Sequence, residues 1–242
     1  MKDIEKLKID KEYYGDFGKK WLSNSDIYSL LNDPKTFRQY QKTTKAMIEG
    51  SYFHTAMLEP EKLEFFQIVE ATSRNSKMYK ETLADIEEDI LLLRSEVENI
   101  QNCINAMKGN LQMFDQIYDS RNIYEIPMTK QIDGIAWKGK ADIICSDKII
   151  DLKTTSDISK FKYSASKYNY DSQCYLYQNL FGLPMEFYVI DKNTHQLSIF
   201  KPTEEFVEKG KHKVEQAIEI MFKFYGDKPT HDVNQYVNHE LL

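Results

Sequence analysis

The chain of 242 residues suits one large domain or two small ones, and with 41% hydrophobic and 29% charged residues it has the balance of a soluble globular protein with a real core. A formal net charge of −6 excludes a wholly basic face, so any nucleic-acid contact has to run through a narrow basic groove. No apolar run approaches the ~20 residues of a membrane span, residues 1–8 lack the apolar stretch of a signal peptide, and Cys103, Cys145 and Cys174 are too few and too scattered for a disulfide framework, which together point to a cytoplasmic protein with reduced core thiols.

Residues 21–26 open a helix, with Ser23 or Ser25 as N-cap and an apolar stripe through Ile27, Leu30 and Leu31. Asp33-Pro34 starts a second helix carrying Phe37 and Tyr40. Between Gly50 and Pro60 a helix holds one polar residue, His54, among Phe53, Ala56, Met57 and Leu58, and Pro60 ends it. Such a histidine is ordinarily a satisfied core residue. After a loop at 72–76 the chain is helical from Leu83. There Ile86, Ile90, Leu93, Val97, Ile100, Ile104, Met107, Leu111 and Phe114 recur in steps of four and three, a heptad seam. Two packings fit the seam: a partner helix of another chain, or the domain's own body with a break near Gly109. We read it as the second.

Strand character begins after Arg121-Asn122. Residues 123–128 and 132–138 read as strands, the second containing a turn-prone Asp133-Gly134. Ile143-Ile144-Cys145 and Ile149-Ile150 are β-branched runs separated by a short polar turn, which reads as a hairpin. Side chains alternate along a strand, so Asp151 and Lys153 share a face while Leu152 points into the core and Asp142 lies on the neighbouring strand. Two acids and a lysine so placed are what metal-dependent phosphodiester cleavage needs: the carboxylates hold a hard divalent cation and the lysine orients or deprotonates water. An exposed D-x-K on a strand edge is also an ordinary solvated ion pair. Thr154 then leads into a segment where Lys160, Lys162 and Lys167 interleave with Phe161, Tyr163, Tyr168 and Tyr170, a composition that suits phosphate tracking and base stacking. A helix over 171–182 sets Gln173 and Tyr177 on one face with Gly182 as C-cap, and strands at 186–190 and 196–200 precede a last helix at 203–224. His195, His212, His231 and His239 have no ligand spacing and read as surface histidines.

Gly50 with His54, Asp142, Asp151 with Lys153, and Gln173 with Tyr177 occur in the order found in the PD-(D/E)xK nuclease superfamily. The chain resembles the RecB-like and RecE-like (exodeoxyribonuclease VIII) branch of that superfamily from about residue 20 onward, most strongly over 138–182. Lys140-Ala141 stand where the eponymous proline would precede the first acid, a departure many members share. Ser23-Asn-Ser-Asp26 followed by Asp33-Pro34 also resembles the start of RecE-like nucleases. The resemblance implies an α/β, restriction-endonuclease-like core: a mixed central β-sheet flanked by helices, with a helical N-terminal half. A single nuclease domain would span 1–242, mainly helical over 20–120 where His54 lies, with the catalytic sheet and helices over 121–225.

What the resemblance implies for the site is specific. His54, Asp142, Asp151 and the Leu152 carbonyl would bind two ions, Mg²⁺ or the Mn²⁺ that imidazole suits better. Lys153, Gln173 and Tyr177 would act in catalysis with the two aspartates, and Glu125, Thr154, Lys160, Lys162 and Tyr170 would serve the substrate. The activity implied is a phage or prophage exonuclease in the bacterial host cytoplasm. It would digest linear double-stranded DNA from its 5′ ends to leave 3′ single strands for a RecT-like annealing protein, and would assemble as a homo-oligomeric ring. The alternatives are a RecB-like nuclease of other polarity, an endonuclease, and a DNA-binding or scaffold protein retaining the fold.

Overall fold

In the computed structural model, which describes residues 2–238, two short helices, α1 (Lys2–Leu7) and α2 (Asp10–Tyr14), precede α3 (Asn24–Asn32). Ser23 and Asp26 close the start of α3 as a capping box. The helix expected from Asp33 is a single turn, Pro34–Thr36, and the backbone then leaves through Arg38 in a left-handed conformation. Phe37 is buried, whereas Tyr40, expected beside it, is 80% exposed. Helix α4 (Lys45–Leu58) buries Tyr52, Phe53, Ala56 and Met57, and Pro60 starts a separate turn. Strand β1 (Ile68–Val69), α5 (Lys77–Ala84), β2 (Leu92–Leu93), α6 (Arg94–Gly109) and α7 (Leu111–Ile117) complete the helical half.

The heptad seam does not ride one helix. Ile86 and Ile90 follow α5, and Leu93 lies in β2, which pairs in parallel with β1. The cause is local: Leu91, Leu92 and Leu93 are drawn into the core, and Glu96 accepts the Leu93 N–H at 3.0 Å, which starts a new helix at Arg94. Val97, Ile100, Ile104 and Met107 then pack on the protein's own body, in one cluster with Phe53 and Ile150. The stripe fades past Gly109, where Leu111 is 78% exposed.

Strands β3 (Ile123–Ile132), β4 (Ile135–Ile144), β5 (Ile149–Thr155), β6 (Met185–Asp191) and β7 (Leu197–Phe200) form a sheet in that order, antiparallel except where β5 runs beside β6. Asp133 and Gly134 have φ of 50° and 80°, the left-handed pair that a two-residue hairpin turn requires. Ile132 therefore ends β3 instead of opening the next strand, and 135–144 is one strand. Parallel β5 and β6 need a crossover, supplied by α8 (Phe161–Lys167) and α9 (Tyr170–Phe181). Gly182 ends α9 with φ of 75°.

Thr203 caps α10 (Glu204–Tyr225), which packs along α9; a Cβ at Gly210 would overlap the Asp171 backbone, so this crossing needs a glycine. Residues of β6 alternate as a strand between two layers should: Tyr188 and Ile190 pack with α4 and α6, Phe187 and Val189 with α8 and α9. Cys103, Cys145 and Cys174 are free thiols. His212 and His231 are exposed and His195 half-buried, while His239 lies outside the described residues. Among the described residues no helix is long and apolar enough to cross a membrane.

Candidate active site

Strands β4 and β5 pair at Ile143–Ile150 and Ile144–Ile149 and then separate. The continued register would set Asp142 opposite Asp151. Instead the strands part there, and Asp142 Oδ2 accepts the Leu152 N–H at 2.9 Å, replacing a strand partner. On the far side of β4 the register sets Glu125 opposite Asp142, yet the ladder skips that pair because Glu125 is left-handed, with φ of 51°. Backbone strain of this kind persists where the surroundings over-determine it. The faces of β4 change at the same place: Trp137 and Ala141 pack with α9, but Ile143 joins the α4 and α6 side. Asp142, between them, meets His54 of α4, whose Nδ1 lies 3.2 Å from Asp142 Oδ2.

Helix α9 braces both strands at the gap. Gln173 Nε2 donates to Asp151 Oδ1 at 2.6 Å on β5, and the Tyr177 hydroxyl donates to the Lys140 carbonyl at 2.9 Å on β4. Asp151 is 2% exposed; its Oδ2 forms an ion pair with Lys153 but accepts no well-formed hydrogen bond. The Lys153 ammonium also lies 4.9 Å from the centre of the Tyr170 ring. Lys140 Nζ reaches Glu125 at 3.2 Å and Asp10 at 2.6 Å.

The electrostatics divide the acids into different roles. Burial, only partly offset by Lys153, raises Asp151 above the usual carboxylate range, and Asp142 adds to the rise. Burial acts on Asp142 too, but His54 and Lys153 outweigh it and hold that carboxyl low. Burial disfavours the charged His54 ring, yet Asp142 raises its pKa on balance. Burial followed by the Asp142 charge pushes Glu125 up to about 7. Lys153 is lowered by burial and raised further by Asp151, so it stays an ammonium.

His54, Glu125 and Asp142 each offer a ligand atom, and these atoms lie within 4.8 Å of one another. Two carboxylates and an imidazole suit a divalent cation of the Mg²⁺ or Mn²⁺ type, and Asp151 lines the same cavity. The residues present therefore fit a metal.

Over residues 22–228 the sequence matches the family described as PDDEXK-like domain of unknown function (DUF3799). The chain belongs to this family. The fold of PDDEXK-like proteins, expected from the motifs, is the one observed, and it supports a nuclease; PDDEXK nucleases typically use divalent metals. Among solved structures, a candidate exonuclease from Eubacterium rectale shares the fold with a TM-score of 0.65 at 18% identity, over 89% of this chain and 85% of that one. A second, SSO0001, is 16% identical over 70% of this chain and 85% of that one, with a TM-score of 0.32 too low to carry an argument. No curated protein matches the chain.

In this PDDEXK-like domain the cavity at the gap is about 510 Å³. It is lined by His54, Glu125, Asp142, Asp151, Lys153, Gln173 and Tyr177, so residues expected from distant motifs do meet. Their placement refines the expected roles. Glu125, read as serving the substrate, stands with His54 and Asp142 in the three-donor group, whereas Asp151, read as a ligand, faces Lys153 and Gln173. Leu152, expected to offer its carbonyl, gives its N–H to Asp142, its side chain being fully buried. Tyr170 stacks against Lys153. Thr154, Lys160, Lys162 and Tyr170 do not line this cavity; Lys160 pairs with Asp157 on the surface, and Lys162 borders a separate aromatic pocket with Phe161 and Phe200.

The sequence reading passed over Lys138, Lys140 and Arg38, which do line the cavity. Lys138 and Lys140 precede Asp142 at alternate positions of β4, a period that was there to be read. Lys138 is 7% exposed, meets no carboxylate within ion-pair distance among the described residues, and is pushed down to about 8 by burial.

Proposed function

We propose that this PDDEXK-like protein is a Mg²⁺- or Mn²⁺-dependent DNA exonuclease that digests linear double-stranded DNA from its 5′ ends and leaves 3′ single strands for recombination by annealing. The observation that carries this reading is the meeting of His54, Glu125 and Asp142 with Asp151 and Lys153 in one cavity. His54, Glu125 and Asp142 would hold the metal, with Asp151 and the Leu152 carbonyl completing two ion sites. When bound, the metal supplies stabilisation of charge on the scissile phosphate and a more acidic water.

The chain's own residues do the rest. Lys153, paired with Asp151, is placed to orient the attacking water or a phosphate oxygen. Gln173 fixes the Asp151 carboxylate, and Tyr177 holds the β4 backbone against α9. Lys138 and Lys140 attract the phosphate chain, which gives an acidic protein a local basic track. A RecT-like annealing protein, a homo-oligomeric ring and the cytoplasm of a bacterial host belong to the same reading.

The test is a 5′-labelled linear duplex and a closed circle of the same sequence, incubated with Mg²⁺ and with Mn²⁺. Early release of label from the linear DNA with the circle intact is the expected result. Equal loss of the circle would make the protein an endonuclease, and label retained until the last products would reverse the polarity. No cleavage of either DNA with either metal would overturn the nuclease reading.

A further inference from the structure

A second depression, about 410 Å³, adjoins the catalytic cavity at Ser51, which lines both. One wall is the start of α4, with Met47 and Ile48. The other is formed by Phe65 and Phe66, which lead into β1, and by Ile90 and Leu91, which lead into β2. The two walls are tied to each other: Asp89 accepts the Thr43 N–H at 2.7 Å and the Tyr40 hydroxyl, so the groove stands preformed. Met47 is 55% and Phe65 73% exposed. Single exposed apolar side chains are ordinary, but these two line one groove whose floor is already apolar.

The charge around the groove has one sign. Glu88 lines it, Asp85 and Glu87 are exposed in the same loop, and Glu64 is exposed next to Phe65. None of these four acids has an ion-pair partner among the described residues. No lysine or arginine lines the groove. Lys45 of α4 is held by Glu96 at 2.9 Å and Glu49 at 3.5 Å, and Lys42 acts on Asp89. Such a rim repels phosphate, so neither a nucleic-acid strand nor an anionic membrane suits it.

We infer that this groove docks a protein partner through a basic amphipathic helix. Its apolar side chains sit between Met47 and Phe65, and its lysines or arginines meet Glu64, Glu87 and Glu88. A helix presents both features together, with apolar residues at i, i+3, i+4 and i+7 and cations to either side. Because Ser51 borders both depressions, the docked partner stands beside the catalytic cavity. The inference holds whatever chemistry that cavity performs.

The experiment measures fluorescence anisotropy with the full chain at physiological salt. One probe is a labelled synthetic helix with leucines at the spacing above and lysines elsewhere; the other carries glutamates in place of the lysines. The wild type binds the lysine probe with a Kd of about 10 µM and the glutamate probe about tenfold more weakly. Met47→Ser with Phe65→Ser weakens the lysine probe about tenfold, and Glu87→Gln with Glu88→Gln about fivefold, with unchanged circular dichroism. Glu204→Gln with Glu219→Gln removes exposed acids from α10, which packs along α9 and α3, and leaves the affinity within about twofold. No binding of the lysine probe by the wild type, equal affinity for the two probes, or an equal loss in the α10 variant would overturn the docking site. So would unchanged affinity in the Glu87 and Glu88 variant, which lies wholly on the surface and decides the matter even if the Met47 and Phe65 variant fails to fold.

Discussion

On the proposed reading Lys153 is the side chain on which the chemistry turns, because Asp151 pairs with it beside the cavity. Asp151, itself buried, is held by Gln173 on one oxygen and pairs with Lys153 on the other. Lys153→Ala should reduce cleavage about 10²- to 10³-fold, as loss of one preorganised donor does, with unchanged circular dichroism. Retained activity in the purified variant would remove Lys153 from the mechanism. Asp142, Asp151 and Lys153 were legible because strand alternation is a local rule. Helical spacing put Gln173 and Tyr177 on one face, and only the family resemblance implied that this face meets the site. The part played by Glu125 was not, since it depends on a left-handed residue opposite Asp142, and that backbone is imposed by neighbouring strands.

At the level of elements, the start of α6 shows how a local signal lost to packing. The heptad spacing favoured one long helix, but burying Leu91 to Leu93 gains more than extending a helix with one exposed side. Glu96 fixes the outcome: it is buried, accepts the Leu93 N–H, and receives Arg74 at 2.5 and 2.8 Å and Lys45 at 2.9 Å. Burial disfavours its charge, yet these partners bring its pKa from 4.5 down to about 2. A depressed folded pKa means the stabilisation is complete above pH 4.5 and is lost as pH falls toward 2. Glu96→Gln should therefore be less stable at neutral pH and lose less stability on acidification across that window. Urea midpoints measured through the window check this, and parallel slopes for the two proteins would contradict it.

For the molecule as a whole, five cations set among six carboxylates in the cavity make a specific expectation about salt. Lys19, Arg38, Lys138, Lys140 and Lys153 line the cavity. Single-strand binding in metal-free buffer should then fall with a log–log salt slope of roughly −3 to −4, at about 0.7 per phosphate contact. Anisotropy titrations over a salt series measure it; a slope twice as steep would mean a broad basic face elsewhere. The sequence by itself determined the strand character of the sheet segments but not that 135–144 is one strand, the helices carrying His54 and Gln173, and the identity of the two aspartates and the lysine, because hydrophobic period and turn chemistry act over a few residues. Only the tertiary structure decided that β4 and β5 part at Asp142, that Glu125 turns inward beside His54, and that residues 2–20 fold back onto Lys138 and Lys140. Those outcomes follow from groups far apart in the chain competing for the same backbone bonds and charges, and no local pattern records which of them prevails.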